Sequence, residues 1–102
     1  MVLRAGENVY CAEVEAAIYE IDGVHEAAVF GLPHERLGEE VAVAVFLNDG
    51  ASLTANELQA QVGKTLAAFK VPTKVFFRAE ALPRNAAGKM LKRELQQEAL
   101  NL

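Results

Sequence analysis

Cysteine, tryptophan and long apolar runs are scarce or absent in this sequence. Cys11 is the only cysteine among 102 residues, which excludes an internal disulfide framework and a cysteine zinc cluster. The longest apolar run, residues 41–47, is far shorter than the ~20 residues that a membrane span requires. The first residues lack the basic and apolar regions of a secretory leader. We therefore expect a cytoplasmic domain without a transmembrane segment.

Basic residues are outnumbered and unevenly distributed. The chain carries 10 Lys and Arg against 14 Asp and Glu, a formal net charge of −4, which argues against general nucleic-acid binding. Residues 1–50 hold two basic and ten acidic side chains, whereas residues 51–102 hold eight basic and four acidic ones. The basic half is a candidate anion site, and two solvated faces are the simpler interpretation.

Hydrophobic patterning predicts one α+β domain. With 52% hydrophobic residues the chain can form a modest core, and disorder is excluded. We expect a small three-stranded sheet packed with helices, preceded by a short N-terminal strand or hairpin. The predicted elements are helices over 11–21, 54–68 (opened by a capping box at Thr54 and Glu57) and 89–100, strands over 27–30, 41–47 and 74–78, and a polar loop over 34–40.

The segment 83–89 is the most informative stretch of the chain. Pro83 and Asn85 favour a turn, and the small residues that follow keep the backbone accessible. Lys89 is predicted where this loop becomes the last helix, so that a lysine and free backbone N–H groups could meet an anion together. The Gly-Lys pair is not a nucleotide P-loop, because Pro83 and Met90 stand where that motif needs Gly and Ser or Thr. A solvated basic turn is the simpler interpretation of these residues alone.

Four segments match one family in order and spacing. They are residues 4–15 (Arg-Ala-Gly-Glu-Asn-Val-Tyr-Cys-Ala-Glu-Val-Glu), 31–39 (Gly-Leu-Pro-His-Glu-Arg-Leu-Gly-Glu), 68–72 (Ala-Phe-Lys-Val-Pro) and 83–95 (Pro-Arg-Asn-x-x-Gly-Lys-x-Leu-Lys-Arg-Glu-Leu). Together they resemble the C-terminal domain of the adenylate-forming acyl-CoA synthetases. The residues that occupy these motifs are similar to those in the ligases of fatty and aryl acids. Cys11 departs from the family pattern, which usually has proline there.

The resemblance implies that residues 1–102 are a single C-terminal lid domain of a ligase. The N-terminal ATP- and acyl-binding domain and the hinge would lie outside this sequence. Enzymes of this family use ATP and Mg²⁺, held mainly by the N-terminal domain, to form an acyl-adenylate, and then transfer the acyl group to CoA. The lid takes one orientation for each half-reaction. We expect a carboxylic acid substrate, with a fatty acid favoured, and an inactive isolated chain.

The resemblance also assigns roles to single residues. Lys89 matches the lysine of the adenylation half-reaction, where its ammonium would oppose charge at the α-phosphate. It belongs to a motif loop with Pro83, Arg84, Asn85 and Gly88. Pro-x-x-x-x-Gly-Lys further resembles the sites that protein acetyltransferases modify, so Lys89 is also a candidate acetylation site.

A second group of residues matches the family's CoA-binding stretches. Arg4, Ala5 and Gly6 correspond to the lining of the pantetheine passage, and Phe69 and Lys70 to a segment that contacts the CoA nucleotide in some relatives. Gly6 also fits a turn that needs positive φ, and Phe69 also fits the core. The two histidines lack metal-ligand spacing, so we expect no metal site in this chain.

A stand-alone α+β interaction module is the alternative interpretation. Such a module would bind a phosphate-bearing ligand or a protein partner through its basic edge. A long upstream reading frame in the same polypeptide would favour the synthetase, whereas a genuine start at Met1 would favour the module.

Overall fold

A computed structural model describes residues 1–101, which form a mixed five-stranded sheet with helices on both faces. The elements are β1 (Val2–Arg4), β2 (Glu7–Val9), α1 (Cys11–Tyr19), β3 (Val24–His34), β4 (Gly38–Leu47), α2 (Ala55–Gly63), a 3₁₀ turn (Ala68–Lys70), β5 (Lys74–Arg78) and α3 (Lys92–Leu100). Within this range no helix is both long and apolar enough to span a bilayer.

The long β3–β4 hairpin is the centre of the sheet. The two strands pair antiparallel from Ala27–Val45 to His34–Gly38, and the other edge of β4 pairs in parallel with β5. The β1–β2 hairpin joins β4 only at Arg4–Gly38. The N-terminal hairpin therefore lies beside the turn that connects β3 to β4.

Both faces of the sheet are buried because side chains alternate along β3 and β4. One face packs on α1 and α2, and the other packs on α3 and the segment before it. The first cluster contains Val2, Val9, Val14, Ile18, Ala27, Val29, Val41, Val43, Val45, Leu58 and Val62, and the second contains Ala28, Phe30, Leu32, Ala42, Ala44, Leu82 and Leu95. The unbroken apolar run of residues 41–47 thus indicated a doubly covered strand correctly.

The outer edge of β3 is closed by side chains instead of a further strand. The Ala27 N–H donates to the Tyr19 hydroxyl at 2.9 Å, and the Val29 N–H donates to Glu15 Oε2 at 2.8 Å. Gln96 Nε2 of α3 donates to the Gly31 carbonyl at 2.9 Å. These contacts satisfy backbone groups that would otherwise offer a template for pairing with another chain.

The fold class is confirmed, and several predicted boundaries need correction. β5 and the capping box at Thr54 are as predicted. The predicted loop 34–40 narrows to residues 35–37, because Gly38 takes φ 82° and His34 Nδ1 accepts the N–H groups of Arg36 and Leu37. Because the turn is this tight, the polar residues His34, Glu39 and Glu40 lie within the paired strands.

The three helices are shorter than predicted. Helix α1 ends at Tyr19 and α2 ends at Gly63, after which the chain turns so that Phe69 and Val71 reach the core. Helix α3 starts at Lys92, not at residue 89, because residues 84–90 form a small hairpin.

Candidate functional site

The segment that carries Lys89 is a small hairpin closed by its own backbone. Arg84 and Met90 form an isolated antiparallel bridge, and the Leu91 N–H donates to the Pro83 carbonyl at 2.9 Å. At the tip, Asn85 Oδ1 accepts the N–H of Ala87 at 2.9 Å and the N–H of Lys89 at 3.0 Å. An asparagine that accepts nearby backbone N–H groups in this way stabilises a turn. The Lys89 backbone is consequently held by the loop itself.

A buried carboxylate joins this hairpin to the sheet. Glu26 lies near the start of β3 and is 8% exposed. Its Oε1 accepts the Leu82 N–H at 3.0 Å, and its Oε2 accepts Arg84 Nε at 3.0 Å and Nη2 at 2.6 Å. Arg84 Nη1 donates to the Gly88 carbonyl at 2.8 Å. Arg84 therefore connects β3 to the residue just before Lys89.

The surroundings of Glu26 favour its ionised form. Burial opposes ionisation, but the hydrogen bonds from Arg84 and from the Leu82 N–H, together with the Arg84 charge, hold the pKa of the Glu26 carboxyl below its ordinary value. Charged hydrogen-bond partners outweigh desolvation here because both oxygens of the carboxylate receive donors. The Glu26 carboxyl therefore remains ionised at neutral pH.

The Lys89 side chain points to solvent beside a basic groove. Lys89 is exposed, and within residues 1–101 its ammonium has no salt-bridge partner. An open groove of about 740 Å³ separates the hairpin from α3. Its charged lining consists of four basic residues, Arg78, Lys89, Lys92 and Arg93, and two acidic residues, Glu94 and Glu98. An unpaired ammonium at the wall of a net-positive groove can approach an anion without first breaking an ion pair.

The predicted position of Lys89 at a helix N-terminus is wrong. Helix α3 begins three residues later, and the Lys89 N–H is already bound to Asn85. The first-turn N–H groups of α3 are thus not adjacent to Lys89 in sequence. The loop presents the lysine through side-chain and turn hydrogen bonds and not through the helix dipole.

The predicted CoA residues at the N-terminal end form a tight turn. Ala5 and Gly6 have φ values of 50° and 81°, as the two central residues of a type I′ hairpin turn require. The Ala5 N–H donates to the Leu37 carbonyl at 2.8 Å, which fastens this turn to the β3–β4 turn. No atom lies within 4 Å of a Cβ built on Gly6. The backbone alone accounts for glycine at this position, and the space beside it is open.

The second predicted CoA segment lies on the 3₁₀ turn before β5. Lys70 Nζ pairs with Glu13 Oε1 at 2.7 Å and lies 5.7 Å from the centre of the Phe69 ring. Phe69 is half-buried against the first core cluster. Both side chains therefore have structural contacts within the domain. For Phe69 this agrees with the core position that the sequence also allowed.

The structure separates the predicted site residues into two groups. Lys89 and its loop attach to β3 at Glu26, whereas the Ala5–Gly6 turn attaches at the opposite end of the strand, near His34. Eight residues of strand at about 3.3 Å each put these attachment points roughly 26 Å apart. The two groups lie at different ends of one rigid sheet.

The surface of the described residues also has a second groove, and it lacks a cluster of metal-ligand side chains. Among residues 1–101 no group of three or more His, Cys, Asp or Glu side chains is placed to hold a metal ion. A second groove, of about 560 Å³, lies between β5 and α3 and is lined mainly by apolar side chains such as Phe30, Phe76 and Leu95.

Glu26 is the residue that sequence reasoning missed. It is the first residue of a run that is buried from Glu26 to Leu32, and it is the charged residue of that run. A charged residue at the start of an apolar strand was a usable signal, because buried carboxylates are nearly always paired. Its partner Arg84, 58 positions away, could not be inferred from spacing.

Comparisons with known proteins match this architecture to one family. Residues 13–89 match the profile of the AMP-binding enzyme C-terminal domain. The chain belongs to this family. The match ends at Lys89 and includes the motif loop, so the C-terminal domain assigned by resemblance is confirmed.

Several of the similar proteins are CoA ligases by name. A long-chain-fatty-acid–CoA ligase, FadD13, of Mycobacterium tuberculosis is 44% identical over 98 residues, covering 96% of this chain and 19% of that protein. A 2-succinylbenzoate–CoA ligase of Geobacillus kaustophilus is 43% identical over 96 residues, covering 94% and 19%. The crystal structure of ATP-bound MatB from Rhodopseudomonas palustris superposes with a TM-score of 0.90 at 38% identity, covering 96% and 19%. The chain spans about a fifth of the length of these relatives.

Proposed function

We propose that this chain is the mobile C-terminal lid of an ATP-dependent, AMP-forming carboxylic acid–CoA ligase. The observation that carries the proposal is Lys89, an exposed ammonium without a salt-bridge partner in residues 1–101, on a loop that Asn85 and Arg84 hold in shape. Such a group is available to a partner domain that binds ATP. The N-terminal domain of the same polypeptide would be that partner, and it would hold most of the ATP and the Mg²⁺.

Lys89 would act by electrostatic stabilisation. In the first half-reaction a carboxylate oxygen of the substrate bonds to the α-phosphorus of ATP, and the bond to pyrophosphate breaks. Negative charge gathers on the phosphoryl oxygens and the leaving group, and a positioned ammonium stabilises that charge. In this role the ammonium stabilises negative charge and donates hydrogen bonds, and it neither takes up nor gives up a proton.

The second half-reaction would use the other end of the sheet. Arg4, Ala5 and Gly6 would line the passage of the pantetheine thiol, and Phe69 and Lys70 would contact the CoA nucleotide. Lys70 would then exchange its contact with Glu13 for a phosphate. Because the two groups attach roughly 26 Å apart on one sheet, the domain would have to reorient between adenylation and thioester formation.

The acid is proposed only as a class. The similar proteins include a long-chain-fatty-acid ligase and a 2-succinylbenzoate ligase, so fatty and aryl acids are the first candidates, with a fatty acid favoured. ATP as the nucleotide is supported by the ATP-bound relative. A cytoplasmic location is part of the proposal, because the free Cys11 thiol fits a reducing compartment.

The test replaces Lys89 by alanine in the full-length polypeptide that carries this domain. Adenylate formation is followed as pyrophosphate release with a panel of carboxylic acids, and thioester formation is measured from pre-made acyl-adenylate and CoA. We expect a loss of at least about a hundredfold in the first reaction and little change in the second.

The matched control is Lys64→Ala, which removes another exposed lysine at the end of α2. It should leave both half-reactions unchanged. If Lys89→Ala preserves adenylate formation, the proposed role of Lys89 is wrong. If no carboxylic acid supports pyrophosphate release even in the unaltered enzyme, the ligase function is wrong.

Acetylation of Lys89 by a protein acetyltransferase is a second element of the proposal. The side chain is exposed on a turn and lacks a salt bridge within residues 1–101, so it is accessible to a modifying enzyme. Acetylation would remove the charge that adenylation needs. Parent enzyme acetylated at Lys89 should lose pyrophosphate release and keep thioester formation, and full adenylation by the acetylated enzyme would contradict both roles.

A further inference from the structure

Glu26 makes contacts that reach beyond ordinary packing. It is a buried carboxylate in an apolar strand, and all its side-chain hydrogen bonds go to the segment that leads into the lysine loop, at Leu82 and Arg84. Arg84 in turn donates a hydrogen bond to the Gly88 carbonyl. Two side chains, Glu26 and Arg84, thus connect the start of β3 to the residue before Lys89.

The geometry of this connection restricts direction as well as distance. A guanidinium is planar and presents its donors in a fixed fork. Two donors of Arg84 bind Glu26 Oε2, and a third binds the Gly88 carbonyl across the hairpin. The plane of Arg84 therefore sets the angle at which the hairpin leaves the sheet.

Stability by itself does not call for this arrangement. An ion pair that buries its carboxylate often contributes no more stability than apolar side chains of the same volume, because the carboxylate loses water. Here Glu26 is buried and the Arg84 side chain is partly exposed. The hairpin is already closed by bonds of Asn85 and of Pro83 with Leu91, and Leu82 is anchored in the core. What Glu26 adds is a set of hydrogen bonds to Leu82 and Arg84 that fixes the loop relative to β3.

We propose that Glu26 is a positioning residue for the adenylation half-reaction, acting through Arg84 and Gly88 to aim the Lys89 ammonium. This inference rests on the proposed ligase function and on the role of Lys89 in it. Glu26 touches no substrate. Its effect reaches the reaction only through the lysine loop, and thioester formation, which uses the other end of the sheet, does not depend on it.

The experiment compares Glu26→Gln, Lys89→Ala and the double variant in the full-length polypeptide. The glutamine can still accept the Leu82 N–H, but its amide group cannot accept the bonds from Arg84. We expect kcat for pyrophosphate release to fall about ten- to hundredfold, with KM for ATP little changed. In the Lys89→Ala background the Glu26 substitution should cause no further loss, since two residues that act as one unit are not additive.

Glu15→Gln is the matched control. Glu15 also accepts one backbone N–H, from Val29, and pairs with one basic side chain, Lys92, but its partner lies on α3 and outside the hairpin. It should leave pyrophosphate release within about twofold of the unaltered enzyme. Thioester formation from pre-made acyl-adenylate and the thermal unfolding midpoint report whether each variant is folded.

Arg84→Lys is the second variant, for the case in which Glu26→Gln does not fold. A lysine keeps a positive charge for Glu26 but lacks the planar fork by which Arg84 spans Glu26 and Gly88. Adenylation should therefore again fall while thioester formation persists. Equal losses in both half-reactions, an unchanged rate of adenylation, or a full additional loss in the Lys89→Ala background would each overturn the inference. Those results leave the ligase proposal standing, whereas an inert Lys89→Ala substitution refutes the proposed function itself.

Discussion

Single side chains, more than long segments, define the lysine loop. Asn85 holds the tip through two backbone N–H groups, and Arg84 fastens the hairpin to Glu26. The turn-forming character of Pro83 and Asn85 is local chemistry, so the sequence predicted the loop, although it placed Lys89 at the start of the helix. The Glu26 contact joins residues that are distant in sequence, and only the folded chain brings them together.

The Glu26–Arg84 pair makes the folded domain less stable at acid pH. The pKa of the Glu26 carboxyl is lower in the folded chain than in the unfolded chain, so folding favours the ionised form. The stabilisation is complete above the unfolded pKa of about 4.3 and is lost as the pH falls through the folded value. Acidification below about pH 4 should therefore weaken the domain partly through this residue.

Urea unfolding from pH 7 to pH 3 tests this dependence. The unaltered chain and Glu26→Gln should differ by about 2 kcal/mol at neutral pH, and the difference should shrink as the pH approaches 3. A difference that stays constant over the whole range would show that the ionised carboxylate is not the source of the stability.

At the scale of elements, the long β3–β4 hairpin organises everything else. β3 contacts α1 and α3 through side chains that cap its outer edge, and β4 pairs with β1 and β5. The apolar runs predicted both strands, but polar residues at 34–40 hid their full length. Strand pairing depends on partners across the sheet, so it overrides the local polarity of a strand end.

The cap on the edge of β3 can be tested with the two tyrosines. Tyr19→Phe removes the hydroxyl that accepts the Ala27 N–H, and leaves a buried donor unpaired. We expect a loss of about 1–2 kcal/mol in the free energy of unfolding, measured in urea.

Tyr10→Phe is the control for this substitution. Tyr10 is also exposed, and its hydroxyl makes no hydrogen bond within the described residues. Its replacement should change the unfolding midpoint very little. Equal effects of the two substitutions would mean that the Tyr19 hydroxyl does not protect the strand edge.

At the scale of the whole molecule, the two predicted sites lie at opposite ends of a shared core. The basic lysine loop lies at one end of β3, and the Ala5–Gly6 turn lies at the other. Both sheet faces are buried within the described residues, so the fold has a core of its own. The chemistry proposed for it nevertheless needs ATP and acid held by another domain.

We therefore expect the 102-residue chain to fold alone and to lack ligase activity. Urea should unfold it in one cooperative transition, because a small single core behaves as one unit. Pyrophosphate release with ATP and any carboxylic acid should stay at the background rate of the buffer. Turnover by the purified chain, or the absence of a cooperative transition, would contradict this expectation.

The sequence by itself determined the fold class, the doubly covered strand β4, the capping box at Thr54 and the family. These depend on local propensity, on the alternation of side chains and on motifs within short segments. Only the tertiary structure decided the start of α3, the anchoring of the lysine loop by Glu26 and the separation of the two predicted sites. The last two depend on contacts between residues far apart in sequence, and no local pattern identifies the partners in such contacts. The start of α3 depends on the pairing of Arg84 with Met90, which the turn residues alone did not locate.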